Sequence, residues 1–145
     1  TLAQSVLNEV SSKAFDENSI TNGGRIACND TVACTQSNAL GPDAGESRAN
    51  YDDIDDFHGL SLSGIDITNT TQAAVSSTKE ALFNGFQANI SVFYDSNYDG
   101  INDDDLNQDN SLDTGTLIAN QKRIEVIVTT PEGEQIAFST YRNNF

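Results

Sequence analysis

Leu2, Ala3, Val6, Leu7, Val10 and Ala14 fall on one stripe at helical spacing, which predicts a helix over the opening segment TLAQSVLNEVSSKA, Thr1 to Ala14. The stripe begins with the first residues, so the expectation is that the chain opens inside a longer helix whose apolar N-terminal half precedes it. Residues 16–50 are rich in Asn, Asp, Ser, Thr and Gly, with Asn22-Gly23-Gly24 and Gly41-Pro42 as turn signals, and predict a long loop. Within Tyr51-Asp52-Asp53-Ile54-Asp55-Asp56-Phe57-His58-Gly59-Leu60 the apolar positions recur every third residue. A short turn or helical piece would point Tyr51, Ile54 and Phe57 inward as a structural anchor and the four aspartates outward.

The second half changes period. Leu62 to Thr68 alternates weakly, and Phe86 to Tyr94 alternates well, with Phe86, Ala88, Ile90, Val92 and Tyr94 on one face. Ile124 to Thr130 and Gln135 to Arg142 flank Pro131-Glu132-Gly133-Glu134, whose early proline and late glycine suit a type I turn closed by a left-handed glycine. Helix, long loop, then antiparallel strands predicts an α+β fold with the helix stripe packed on one face of the sheet. The organisation expected is one domain over 1–145: helix 1–15, loop region 16–60, and a β region 61–145 carrying an acidic insertion at 95–113.

Charge narrows the choice of partners. The 145 residues hold 22 acidic against 7 basic side chains, a net charge of -15, which makes nucleic acid and anionic membrane surfaces poor partners and cations good ones. The two cysteines, Cys28 and Cys34, form no CxxC and have no zinc-type spacing to the single histidine, His58. A short disulfide loop in an oxidising compartment is the simplest account, with two buried free thiols as the alternative. Such a staple would stabilise the long loop region by roughly 2–3 kcal/mol on the loop-closure model. There is no apolar run of membrane length and no signal peptide.

The acidic insertion carries the clearest chemistry. Asp95-Ser96-Asn97-Tyr98-Asp99-Gly100-Ile101-Asn102-Asp103 puts oxygen ligands at positions 1, 3, 5 and 9 and glycine at 6. That is the first part of an EF-hand-type calcium loop, in which alternating side chains on a tight curve converge on one point and position 7, here Ile101, offers its carbonyl. The pattern recurs ten residues later: Asp105, Asn107, Asp109 and Asp113 repeat the ligand positions, and Asn110 replaces the glycine. Position 12 of the first loop is Leu106, where an EF-hand has a bidentate glutamate, so a closing ligand would come from Asp104, Asp105 or Asp109. The flanks read as strands, which favours a structural Ca2+ site over a helix-opening switch. The competing reading is a solvated acidic loop.

Several segments together resemble a known family. LAQSVLNEV followed by FDEN resembles the exit of a pilin's long helix into its loop. YDDIDDFHG and the closing VIVTTPEGEQIAFSTYRNNF resemble the D-type minor pilins of mannose-sensitive haemagglutinin pili. The similarity is strongest at residues 2–18, 51–60 and 123–145. It implies a type IV pilin-like head with a stapled variable region, an anchoring apolar helix in the inner membrane of a Gram-negative bacterium, and other pilin subunits as partners through that helix. It places the protein at the cell-surface pilus or the periplasmic face of the inner membrane, with a host or surface molecule as a further partner. The calcium-type insertion rests on the residues alone.

Other classes remain to be weighed. A pseudopilin of type II secretion shares the helix-plus-sheet plan, and a secreted calcium-dependent adhesion module would use the acidic loops but leaves the first helix unexplained. A hydrolase needs a nucleophile beside a base or paired carboxylates in a cleft. His58 has neither serine nor cysteine beside it, so no catalytic residue is expected and the reading is non-enzymatic.

Overall fold

The computed structural model of the chain describes residues 2–21, 24–25, 28, 34–68 and 83–144. Among the described residues one α-helix, α1 (Leu2–Ser11), leads to a four-stranded antiparallel sheet in the order β3-β4-β5-β6. Its strands are β3 (Ser61–Ser63), β4 (Gln87–Tyr94), β5 (Gln121–Thr129) and β6 (Gln135–Asn143). A small hairpin, β1 (Ile20–Thr21) with β2 (Gly24–Arg25), lies in the loop region. The layout is α+β, as the hydrophobic pattern predicts. Among the described residues no helix is long and apolar enough to cross a membrane.

The core lies between α1 and one face of the sheet. Ala3, Val6, Leu7 and Val10 are buried on the helix. Ala88, Ile90, Val92 and Tyr94 from β4 and Ile124, Val126 and Val128 from β5 are buried on the facing strands. The period-2 reading of β4 therefore holds position for position, although Phe86 falls just before the strand. The β5–β6 turn is also as expected: Gly133 has φ +90°, and its N–H donates to the Thr130 carbonyl at 2.9 Å.

Two elements are shorter than predicted. α1 stops at Ser11 because the serine pair is a weak helix former; the Ser12 hydroxyl donates to the Glu9 carbonyl at 2.6 Å. Ala14 instead bridges in parallel to Asp53, its N–H donating to Asp52 and its carbonyl accepting from Ile54. The weak alternation at 62–68 yields only β3, and Gly64–Ile67 turns into a 3-10 helix.

The largest correction concerns residues 51–57. Tyr51, Ile54 and Phe57 do point inward, but so do Asp53, Asp55 and Asp56. Asp56 accepts the N–H groups of Asp52 and Asp53, and Asp53 accepts those of Glu17, Asp55 and Asp56. Aspartates at a tight turn are drawn in because unpaired N–H groups there are costly.

The loop region is moored at several points. Cys28 and Cys34 form a disulfide, which settles the two alternatives for the thiols. Asn120, just before β5, clamps Cys28 by accepting its N–H at 2.8 Å and donating to its carbonyl at 3.3 Å. Arg48 is buried and grips Glu9 of α1 through two nitrogens, Nε to Oε1 at 3.1 Å and Nη2 to Oε2 at 2.6 Å. It also donates to the carbonyls of Asp66 and Ile67, so one guanidinium ties helix, loop and the turn after β3 together.

Candidate functional site

The acidic insertion forms two loops with one hydrogen-bond pattern. In the first, Asp95 accepts the N–H groups of Asp99 and Gly100, Asp99 accepts that of Ile101, and Asp103 accepts that of Ser96. In the second, Asp105 accepts those of Asp109 and Asn110, Asp109 accepts that of Ser111, and Asp113 accepts that of Leu106. Asn97 donates to Asp99, and Asn107 donates to Asp109. Each unit closes alike, the Asp103 N–H donating to Tyr94 O and the Asp113 N–H to Asp104 O. Positive φ recurs at the fourth and sixth positions: Tyr98 (60°) and Gly100 (82°), then Gln108 (57°) and Asn110 (66°). Left-handed backbone at those points bends the chain so that alternate side chains face inward, and asparagine tolerates it at the place where the first unit has glycine.

The first loop is folded onto the sheet face away from α1. The Tyr98 and Tyr141 rings meet edge to face with centroids 4.9 Å apart. The Tyr141 hydroxyl donates to Asp95 at 2.6 Å and accepts from Arg123 Nη1 at 2.9 Å. The second loop is held by Asp104, which stands outside the ligand pattern. Its buried carboxylate accepts the Ser37 hydroxyl at 2.5 Å, the Thr114 N–H and hydroxyl each at 2.8 Å, and the Gly115 N–H at 2.7 Å. Burial pushes this carboxyl up, but the hydrogen bonds outweigh it and hold it below its ordinary value. Asp104 therefore faces the protein, and the expectation that it closes a metal site is corrected: its lone pairs are taken by four donors.

The donor set of the repeat suits a hard cation, being carboxylate, amide and carbonyl oxygen throughout. Asp95, Asp99, Asp103, Asp105, Asp109 and Asp113 each spend part of their acceptor capacity on loop N–H groups. In this arrangement they do not draw together as a compact carboxylate set. Among the described residues, the sets of three whose oxygens lie within 4.8 Å of one another are Asp16–Glu17–Asp53 and Glu46–Asp52–Asp56. Between the repeat and the far face of β4 lies a cleft of about 590 Å³, lined in part by Phe93, His58, Asn38, Asn102, Gln108 and Leu112.

Asp16 and Asp55 flank Lys122, on the inner face of β5, and Asp53 lies next to Asp55 in the same turn. The Lys122 Nζ donates to Phe15 O at 2.7 Å, Asp16 Oδ2 at 3.2 Å and Asp55 Oδ1 at 2.7 Å, with no exposure to solvent. The ammonium also lies 4.5 Å from the Phe15 ring centroid and 5.5 Å from that of Tyr94. Burial, with the neighbouring Glu17 and Asp55 carboxylates, pushes Asp53 up to about 10. The Asp53 contact is in turn the main influence holding Glu17 below its ordinary value. Burial raises Asp55, partly opposed by Lys122. The only sequence signal for this cluster is a lysine at an otherwise apolar inner position.

His58 has a structural task. β3 covers only the first part of β4, and the edge beyond it is taken up by residues 58–60: Gly59 N–H donates to Ile90 O, Ile90 N–H to Leu60 O, and Val92 N–H to His58 Nδ1 at 3.0 Å. The imidazole accepts where a neighbouring strand's carbonyl would, which requires the neutral ring with its proton on Nε2. Burial lowers its pKa, consistent with that state.

Comparison with protein-family models, curated proteins and solved structures gives no match in any of the three.

Proposed function

We propose that the chain is the head of a type IV pilin-like minor subunit, a structural, non-enzymatic part of a bacterial surface filament whose acidic repeat is ordered by calcium. The observation that carries this reading is the packing of the N-terminal helix, by the stripe Ala3-Val6-Leu7-Val10, onto one face of an antiparallel sheet reached through a long disulfide-stapled loop region. That plan matches what the family resemblance implies. An apolar helix extending ahead of Leu2 would anchor the subunit and contact its neighbours, and the sheet face carrying the repeat would look outward. Calcium is supported by the recurrence of one turn geometry in two units with oxygen ligands at matching positions, Asp95, Asn97, Asp99, Ile101 and Asp103, then Asp105, Asn107, Asp109 and Asp113. Ions there would offset the mutual repulsion of seven aspartates between 95 and 113 with no basic residue among them.

Two measurements test the two parts. Immunogold labelling of the source bacterium with antibody to this chain should decorate surface filaments; label confined to the periplasm would favour the secretion pseudopilin, and label on neither would reject both. Calcium titration by calorimetry of chelator-stripped protein should give one or two bound ions and a raised melting temperature. Absence of heat and of any melting shift up to millimolar calcium would leave a solvated acidic loop. Asp99→Ala with Asp103→Ala should abolish binding at the first unit.

A further inference from the structure

We propose that Lys122 and Asp55 are the partners of an intramolecular isopeptide bond, with Asp16 and Asp53 as the proton acceptor and donor that let it form.

The arrangement meets the requirements of amide condensation. The nucleophile must lie against the carboxyl carbon, and Lys122 Nζ is 2.7 Å from Asp55 Oδ1. Water must be kept away, because bulk water favours the separated ions and hydrolysis. Both side chains are buried, and the Phe15 and Tyr94 rings flank the ammonium. In such surroundings the ion pair loses its advantage over the neutral amine and carboxylic acid, since both charges are costly to desolvate. Here one ammonium faces two carboxylates, so the charges do not cancel within the cluster.

The carboxylates differ in their bonding, which assigns their parts. Asp16 accepts backbone N–H groups from Asn18 and Thr35 and keeps an oxygen 3.2 Å from Nζ, so it is placed to take a proton from the attacking nitrogen. The Asp55 carboxylate takes no backbone N–H; its Oδ1 meets the Lys122 ammonium, which makes it the better electrophile. Asp53 is held beside Asp55, its Oδ1 accepting the Asp55 N–H at 2.9 Å, and burial raises its carboxyl to about 10, so it is the group placed to hand a proton to the departing oxygen.

The step is balanced without a co-reactant. A proton passes from the ammonium to Asp55, giving the free amine and the carboxylic acid. Nζ attacks Asp55 Cγ, the Nζ–Cγ bond forms, and Asp16 takes a proton from nitrogen. The Cγ–O bond breaks as Asp53 protonates the hydroxyl, which leaves as water; the proton on Asp16 returns to Asp53. The product is a neutral amide joining β5 to the Asp55–Phe57 turn, with its remaining N–H free to donate to Asp16 or to the Phe15 carbonyl.

Intact mass spectrometry of the folded wild-type protein tests the proposal, followed by peptide mapping after reduction. The expected result is a chain lighter by one water beyond the two hydrogens of the disulfide, no tryptic cleavage after Lys122, and a branched peptide joining Lys122 to Asp55. Lys122→Met and Asp55→Ala should restore the full mass, and Asp53→Asn should slow formation at least tenfold. A wild-type chain of full mass overturns the proposal whether or not the variants fold. So does a loss of water mapped to Asp99–Gly100, where a succinimide would give the same mass.

Discussion

Asp104 separates an anchor from a ligand. Its carboxylate takes four donors, two of them backbone N–H groups. Asp104→Asn keeps the shape but offers one carbonyl oxygen. Whichever way the amide is turned, the N–H of Thr114 or of Gly115 then faces an NH₂ group. An unsatisfied buried donor costs about 1–3 kcal/mol, and the loss of charge assistance in the remaining bonds adds roughly another 1 kcal/mol. The expected destabilisation is about 3 kcal/mol, and Asp104→Ala, which frees every donor, should cost more. The effect should spread, because the Ser37 N–H and hydroxyl both bond Leu117, and the Asn38 N–H donates to Gly115. Urea unfolding in excess chelator is the assay; with a slope of about 2 kcal/mol/M the Asn variant's midpoint should fall by roughly 1.5 M. Asp109→Asn, in the exposed second loop, is the control and should unfold with the wild type. If Asp104→Asn instead leaves chelated protein unchanged and weakens calcium binding, the carboxylate is a metal ligand and the anchoring argument fails.

Two further outcomes follow from the buried polar groups. His58, the only histidine, should titrate below its ordinary value by NMR, because burial lowers it and Val92 N–H needs the unprotonated Nδ1. A depressed folded-state pKa in a base means that the unfolded chain binds the proton more readily. Its contribution is therefore present above about pH 6.5 and lost as the pH falls below that; His58→Gln should remove this part of the pH dependence, and a normal titration would refute the assignment. Arg48→Lys should lose the two-nitrogen grip on Glu9 and one of the carbonyl bonds, costing about 2 kcal/mol by thermal or urea melts, since an ammonium cannot reproduce the planar fork. A change under 0.5 kcal/mol would mean that the clasp contributes nothing to stability.

What the sequence reveals and what it hides divide along physical lines. The helix stripe, the face of β4, the β5–β6 turn and the unit length of the acidic repeat were legible because each depends on local period or on one residue's backbone freedom. The fate of the aspartates at 53, 55 and 56 was not. Charge alone argues for exposure, and the reversal needs Lys122, far along the chain, and the N–H groups of a turn whose shape is set by Ile54 and Phe57. The partner of His58, the Val92 N–H, follows only from how far β3 extends along β4. Asp104 sits next to the pattern it was grouped with, and a one-residue offset turns its side chain from the loop interior to Ser37.

The two acidic units also bear on how this surface could change over generations. Each settles its own backbone hydrogen bonds and closes on the carbonyl of the residue that precedes it, Tyr94 for one and Asp104 for the other. Copying such a unit lengthens the excursion by ten residues while the β4–β5 pairing from Gln87↔Thr129 to Tyr94↔Lys122 keeps its register. The exposed rim can thus be extended by gene duplication of a short segment, and the lineage can try new outward-facing residues there without renegotiating the core beneath.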